Sequence, residues 1–501
     1  MNTNFLLGFI CRLSALSSIL FCQDYSVYSQ TNKIAVDWNN TVRVSKTTPT
    51  LQVVVNPMLR TRSPIHKSSF RALKEIGADY VRFVPWFPYP KLGVAELEPP
   101  TLDKTSWDFS LIDPLVIDFM EATKGHSVVM NFSTIPVWMF KTGKPVKYPD
   151  DPNALCWEYN QGREFRDTTL KELTDYYARL FSWYTMGGFT DELGKLHQSG
   201  HHFSIPYWEV FNEPEYEHEM SPQLYTKCYD AIVTALKKIS PTTKFIGITL
   251  ALTTDAEFYE YFLNPNNHQN DIPLEGISYH FYAFGAGREQ TIDQQQYSFF
   301  DQANGFIDKV RYIEHMRKRL APETFTTVNE IGSILTNDDH KDPISPSYWN
   351  LSGAMFAYIY LELTKLGVDV AGESQLVGYP TQYPDVSMIN WLNGNPNARY
   401  WVLKLLIDQF KAGDVLVKTT GMDRPNSDAA AQAFVTKKGK KLLLINKRNK
   451  NITLELPQEA SGSKIHSVNV LTGEKQASQS YLQGNKITLK PFSVDVLEIK
   501  N

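Results

Sequence analysis

Glu213 and Glu330 each stand at the end of an apolar, strand-like run, the first in "SIPYWEVFNE" and the second in "FTTVNEIGS". An unpaired glutamate is costly to bury, so a carboxylate set directly behind strand residues needs either a partner or a task. Two carboxyls facing one another across a cleft are suited to breaking a glycosidic bond. One gives its proton to the leaving oxygen while the other, ionised, attacks the anomeric carbon. Their separation decides the stereochemistry: about 5 to 5.5 Å allows direct attack and retention, whereas about 6.5 to 9.5 Å leaves room for water and inversion. Other candidates stand at similar strand ends: Arg82, Asn131, Asn212, His280, Tyr282 and Glu373, with Trp138 and Trp391 as aromatic platforms on which a sugar could stack. Arg82, Tyr282 or His280 could hold a nearby nucleophile ionised. Within the acidic stretch "YWEVFNEPEYEHEM", Glu209 is expected to turn into a buried hydrogen-bonding network, and Glu215, Glu217 and Glu219 to be solvated loop acids.

A repeating pattern must position these residues. From about residue 50 to 412, β-rich apolar runs alternate with amphipathic helical stretches. The strand candidates are residues 51–57, 78–86, 126–133, 204–213, 244–251, 274–282, 325–333 and 368–376. Alternation of strand and helix predicts parallel strands, and eight units predict a closed (β/α)₈ TIM barrel, whose functional groups lie at the C-terminal strand ends. The segment "SPQLYTKCYDAIVTALKKIS" shows the helical signals well, with a Ser cap, Pro in the first turn and one apolar face. Residues 413–501 read differently, as short strands with turn signals and no helix, and alternation at Ile452, Leu454 and Leu456 predicts a half-exposed antiparallel sheet in a β-sandwich. Residues 30–49 read as strand and are expected to join that sandwich.

Composition narrows the partner. The 501 residues carry 50 basic and 54 acidic side chains, a net charge of −4, which gives no nucleic-acid surface. Aromatics are 13% of the chain, enough to supply sugar platforms as well as a core. In the first 29 residues, Arg12 precedes a short apolar run from Leu13 to Cys22, which reads as a signal peptide cleaved near Ser29 and implies a secreted or periplasmic protein. That run is too short to span a membrane. Cys156 and Cys228 have no His or Cys at metal-ligand spacing, and neither a metal nor an organic cofactor is expected. The expected partner is a carbohydrate, an oligo- or polysaccharide.

The pair "VFNEPE" and "VNEIGS", on the fourth and seventh strands, resembles the retaining glycoside hydrolases of clan A over residues 50–412. The strand "KIAVDWNNTV", the "WEVFNEPE" motif and the C-terminal "PFSVDVLEI" make the chain most similar to family 39, which contains β-xylosidases and α-L-iduronidases. Phe211 stands where that family usually has Trp, and "NEIGS" is closer to family 5 barrels. The resemblance implies that Glu213 is the acid/base, Glu330 the nucleophile and Asn212 a partner of the sugar 2-hydroxyl. It implies a β-xyloside-like or related plant or host glycan as substrate. The alternatives are an endo-acting, family 5-like polysaccharide hydrolase, a non-catalytic carbohydrate-binding barrel, and a metal-dependent barrel hydrolase, which would need paired His and Asp ligands.

Overall fold

Eight short runs form one closed ring of parallel strands in this computed structural model: β1 (Thr48–Val54), β2 (Val81–Val84), β3 (Val128–Met130), β4 (Tyr207–Glu209), β5 (Lys244–Leu250), β6 (Gly276–Phe284), β7 (Phe325–Ile334) and β8 (Val370–Glu373). Each pairs with its neighbour in sequence, and β8 closes the ring on β1 through Val370 opposite Thr48. The structure describes residues 32–500 except 161, 252–254, 286–287, 337–343 and 380–382. The leader read in residues 1–29 lies outside the described residues. Among the described residues, eight helices of about two turns or more follow the strands: α1 (His66–Ile76), α2 (Asp113–Ala122), α3 (Lys171–Thr185), α4 (Pro222–Ile239), α5 (Ala256–Phe262), α6 (Ile292–Leu320), α7 (Pro346–Leu366) and α8 (Ala398–Gln409). None is long and apolar enough to cross a membrane.

Local chemistry sets several boundaries. Ser221 caps α4 by accepting from Leu224 N–H, with Pro222 in the first turn where its missing donor costs nothing. Helix α7 lacks the apolar and polar faces of an amphipathic helix for a physical reason. Nearly all its residues from Tyr348 to Leu361 are buried, since it lies between the barrel and the C-terminal sheet, so it has no polar face to give a 3.6-residue alternation.

The C-terminal region is built on a seven-stranded sheet. The strand Ala35–Val44 runs antiparallel to Val415–Thr420 at one end of it, and Ser478–Tyr481 lies at the other. A second sheet has two strands, Ile452–Glu455 and Lys486–Leu489, which alternate buried and exposed residues. The central strands of the larger sheet are buried on both faces. Leu443 and Ile445 point into the core shared with the barrel, whereas Leu442 and Leu444 pack with Leu454 and Leu489 of the small sheet. Burial on both faces explains the unbroken apolar run "LLLI", where a half-exposed strand would alternate.

Candidate active site

The chain leaves β4 through two residues in left-handed backbone, Phe211 (φ 65°) and Glu213 (φ 41°). That conformation is unfavourable for a residue with a Cβ, and β5 holds it: Val210 N–H donates to Ile246 O and Glu213 N–H to Thr249 O, each at 3.0 Å. Pro214 then opens a single helical turn ending at Glu217, whose N–H donates to Glu213 O at 2.7 Å. On β6, alternate residues face inward. Ser278 Oγ donates to Glu209 Oε1 at 2.6 Å, His280 Nδ1 lies 2.7 Å from Glu213 Oε1, and Tyr282 OH donates to Glu330 Oε2 at 2.6 Å. On β7 the register slips between Val328 and Glu330, so two consecutive side chains, Asn329 and Glu330, both reach the barrel interior.

Arg82, from β2, ties these groups together beneath the barrel mouth. Its Nε donates to Glu209 Oε2, its Nη1 to Glu330 Oε1 at 2.5 Å and to Gln52 Oε1 at 2.7 Å, and its Nη2 to Asn212 Oδ1 at 2.7 Å. Glu209 also accepts from Asn131, Ser278 and Asn329. Four donors fill roughly the whole acceptor capacity of a carboxylate, so Glu209 has nothing left to offer a ligand. Glu330 is different. Burial alone would push its carboxyl up, but His280, Arg82 and the Tyr282 hydroxyl outweigh burial and hold it below the ordinary carboxylate range. For His280 the opposing effects run the other way. Burial would lower it, and Glu330 together with the bond to Glu213 raises it above the ordinary imidazole range. Its Nε2 is buried, has no hydrogen-bond partner among the described residues and lies 3.6 Å from Glu330 Oε1.

One ligand atom each from Glu213, His280 and Glu330 lie within 4.8 Å of one another, a cluster that could in principle hold a metal ion. The surrounding donors argue against that use. Both Glu330 oxygens already accept a bond, one from the Arg82 guanidinium, so a divalent ion would sit against a fixed positive charge. The same bound puts a Glu213 oxygen within 4.8 Å of a Glu330 oxygen, closer than the roughly 6.5 to 9.5 Å that leaves room for water between a pair.

These groups open into a cavity of about 870 Å³, near the upper end of the range for small-ligand sites. Asn212, Glu213, His280, Tyr282 and Glu330 line it. Trp86 and Tyr383 stack across part of its wall, with ring centroids 6.1 Å apart and an interplanar angle of 27°, and Trp157 meets both edge-on.

Several expectations need correction. Arg82 is buried under the cavity floor and acts on Glu330 and Asn212 instead of a ligand. Asn131 is fully buried and donates to Glu209 and to Phe211 O. Glu373 Oε1 is taken by Arg399 at 2.9 Å with both side chains inaccessible. Trp138 lines a different cavity, its ring covered by the Arg166 guanidinium at 4.6 Å, and Trp391 lines a third beside Trp349 near the starts of α7 and α8. Glu217 is not a solvated loop acid: it is 7% exposed, lines the main cavity and accepts from Trp86 Nε1 at 2.7 Å and Asn212 Nδ2 at 2.8 Å. Its signal was its spacing, four residues after Glu213 across a proline that starts a helical turn. Trp157 and Tyr383 sit in long loops, where no periodicity marks which way a ring points.

No protein-family model and no curated protein matches the chain. Solved structures match it along almost its whole length. A family 51 α-L-arabinofuranosidase from Bifidobacterium longum superposes with a TM-score of 0.63 at 13% identity, covering 93% of this chain and 99% of that one. An α-L-arabinofuranosidase from Thermotoga maritima gives 0.61 at 14% identity, covering 94% and 100%. A GH30 endoxylanase from Clostridium papyrosolvens C71 gives 0.55 at 11%, covering 93% and 99%. The chain has the fold of these glycoside hydrolases.

Proposed function

We propose that the protein is a retaining glycoside hydrolase that cleaves O-glycosidic bonds by double displacement, with Glu330 as nucleophile and Glu213 as acid/base. The observation that carries this reading is a pair of carboxyls within 4.8 Å of each other on one cavity, in unlike environments. Glu330 is held ionised by Arg82 and Tyr282, whereas Glu213 is bonded to His280 and is open to the cavity. In the first step Glu330 attacks the anomeric carbon, and the Glu213 proton passes to the departing oxygen, leaving a glycosyl ester and a free alcohol. Esterification removes the Glu330 charge. In the second step Glu213 takes a proton from water, whose oxygen attacks the same carbon and expels the Glu330 carboxylate. Two inversions give net retention.

The substrate class proposed is a β-xyloside-like or related plant or host glycan. Its support is the resemblance to family 39 and the xylan- and arabinoside-directed names of the structural neighbours. A leader over residues 1–29 would direct the enzyme out of the cytoplasm and be removed from the mature protein. The test is a panel of 4-nitrophenyl glycosides and polysaccharides followed by proton NMR. Retained product is expected, unchanged by a chelator such as EDTA. Inverted product, or activity lost to the chelator and restored by a divalent ion, would overturn the two-carboxylate reading. On the substrate so found, Trp157→Ala is expected to raise KM about 3- to 10-fold, the loss of one aromatic contact, while Trp138→Ala leaves KM within about twofold.

A further inference from the structure

Glu217 is a buried carboxyl on the cavity that neither displacement step uses. Its orientation is fixed by a chain of donors that starts at Arg82. A guanidinium can only donate, so the Asn212 atom 2.7 Å from Arg82 Nη2 must be the amide oxygen, and the amide nitrogen then faces Glu217 Oε1 at 2.8 Å. Trp86 Nε1, also only a donor, reaches the same Oε1 at 2.7 Å. Both bonds therefore go to one oxygen. No described residue bonds Oε2, so any proton on this group is carried by Oε2.

We propose that Glu217 is a specificity-determining residue that presents its Oε2–H as a donor to one ring hydroxyl of the sugar held between Glu213 and Glu330. Three features support this besides the orientation. Glu217 stands one helical turn from Glu213, so whatever lies against the acid/base also lies near it. Asn212, which the resemblance to clan A implies as the partner of the sugar 2-hydroxyl, is its direct partner. Burial, with Glu213 and Glu330 close by, pushes the Glu217 carboxyl well above the ordinary range despite the bonds from Asn212 and Trp86, which favours the protonated form. A buried neutral acid with one oxygen pinned is a rigid hydroxyl reader, and a sugar lacking the matching hydroxyl leaves a buried donor unpaired.

The inference rests on the glycosidase reading, and the experiment separates the two. Wild type, Glu217→Gln and Glu217→Ala are compared by kcat/KM on the 4-nitrophenyl glycoside that the wild type cleaves fastest and on its 2-, 3- and 4-deoxy analogues, after circular dichroism has confirmed folding. Glutamine keeps an acceptor at Oε1 and an N–H donor at Oε2, so it should stay within about threefold of wild type. Alanine should lose about tenfold on the parent glycoside, and on one deoxy analogue it should match wild type, because enzyme and substrate then lack the two halves of the same bond. An equal loss by alanine on all four substrates would assign Glu217 to holding Asn212 in place and overturn the proposal. A glutamine variant as poor as alanine would overturn it too, and does so even if the alanine variant fails to fold. A wild type that cleaves none of the panel glycosides refutes the glycosidase reading on which the inference stands.

Discussion

Glu330→Ala is expected to lower kcat/KM by on the order of 10⁴-fold or more, the scale seen when a covalent nucleophile is removed. The expectation follows from how much of the barrel is arranged around this one side chain. Arg82 and Tyr282 each bond one of its oxygens, and both bonds favour the ionised form that attack requires. Sodium azide should restore part of the lost rate by entering the vacated space and attacking the anomeric carbon directly. A single displacement of that kind gives a glycosyl azide of inverted configuration, whereas azide rescue of Glu213→Ala should give a retained one. Product analysis by NMR distinguishes them. A Glu330→Ala protein with near-native turnover would remove the mechanism altogether.

The second large effect is on stability. Arg82→Met keeps the volume and removes the charge that compensates Glu209 and Glu330, side chains that are 0% and 10% exposed. Leaving buried carboxylates without their cation should cost about 3–5 kcal/mol, measured by denaturant unfolding at pH 7. The pH dependence has a definite sign. In the wild type Glu330 is held below its ordinary range, so its contribution is present above the unfolded pKa of about 4.3 and is lost as pH falls. In the variant only His280 and the Tyr282 hydroxyl still oppose burial, so the folded-state pKa of Glu330 moves up and less stability is lost as pH falls. The gap between the two proteins should therefore be widest near neutrality and narrow as pH falls below the ordinary carboxylate range. Lysine at this position should recover only part of the loss, since one ammonium cannot reach four acceptors arranged for a planar fork.

The barrel was legible because a parallel strand buried on both sides is an apolar run, and eight such runs alternating with helices leave few topologies open. The inward face of β6 could be read from "SYHFY", where a period of two puts Ser278, His280 and Tyr282 on one side. Glu209 was recognisable as structural because a glutamate inside a strand must be fully bonded. What could not be read was direction beyond the strand ends. Trp138, Trp391 and Trp86 all follow barrel strands and look equivalent in sequence, yet only Trp86 among them faces the main cavity. The slip that turns both Asn329 and Glu330 inward has no sequence mark, and Glu217 was hidden among loop acids because its burial depends on Trp86, 131 positions away.

The pairing of Ala35 with Thr420 has a consequence for biosynthesis. The strand that holds Ala35 is made before the barrel, and its partner strand only after the entire barrel. Until then its backbone donors and acceptors have only water to bond, and the apolar side of α7 that the large sheet covers is open to other chains. The interval between finishing the barrel and finishing the sheet is thus when a nascent chain is most exposed to aggregation, and it lengthens with any slowing of the ribosome over residues 413–501.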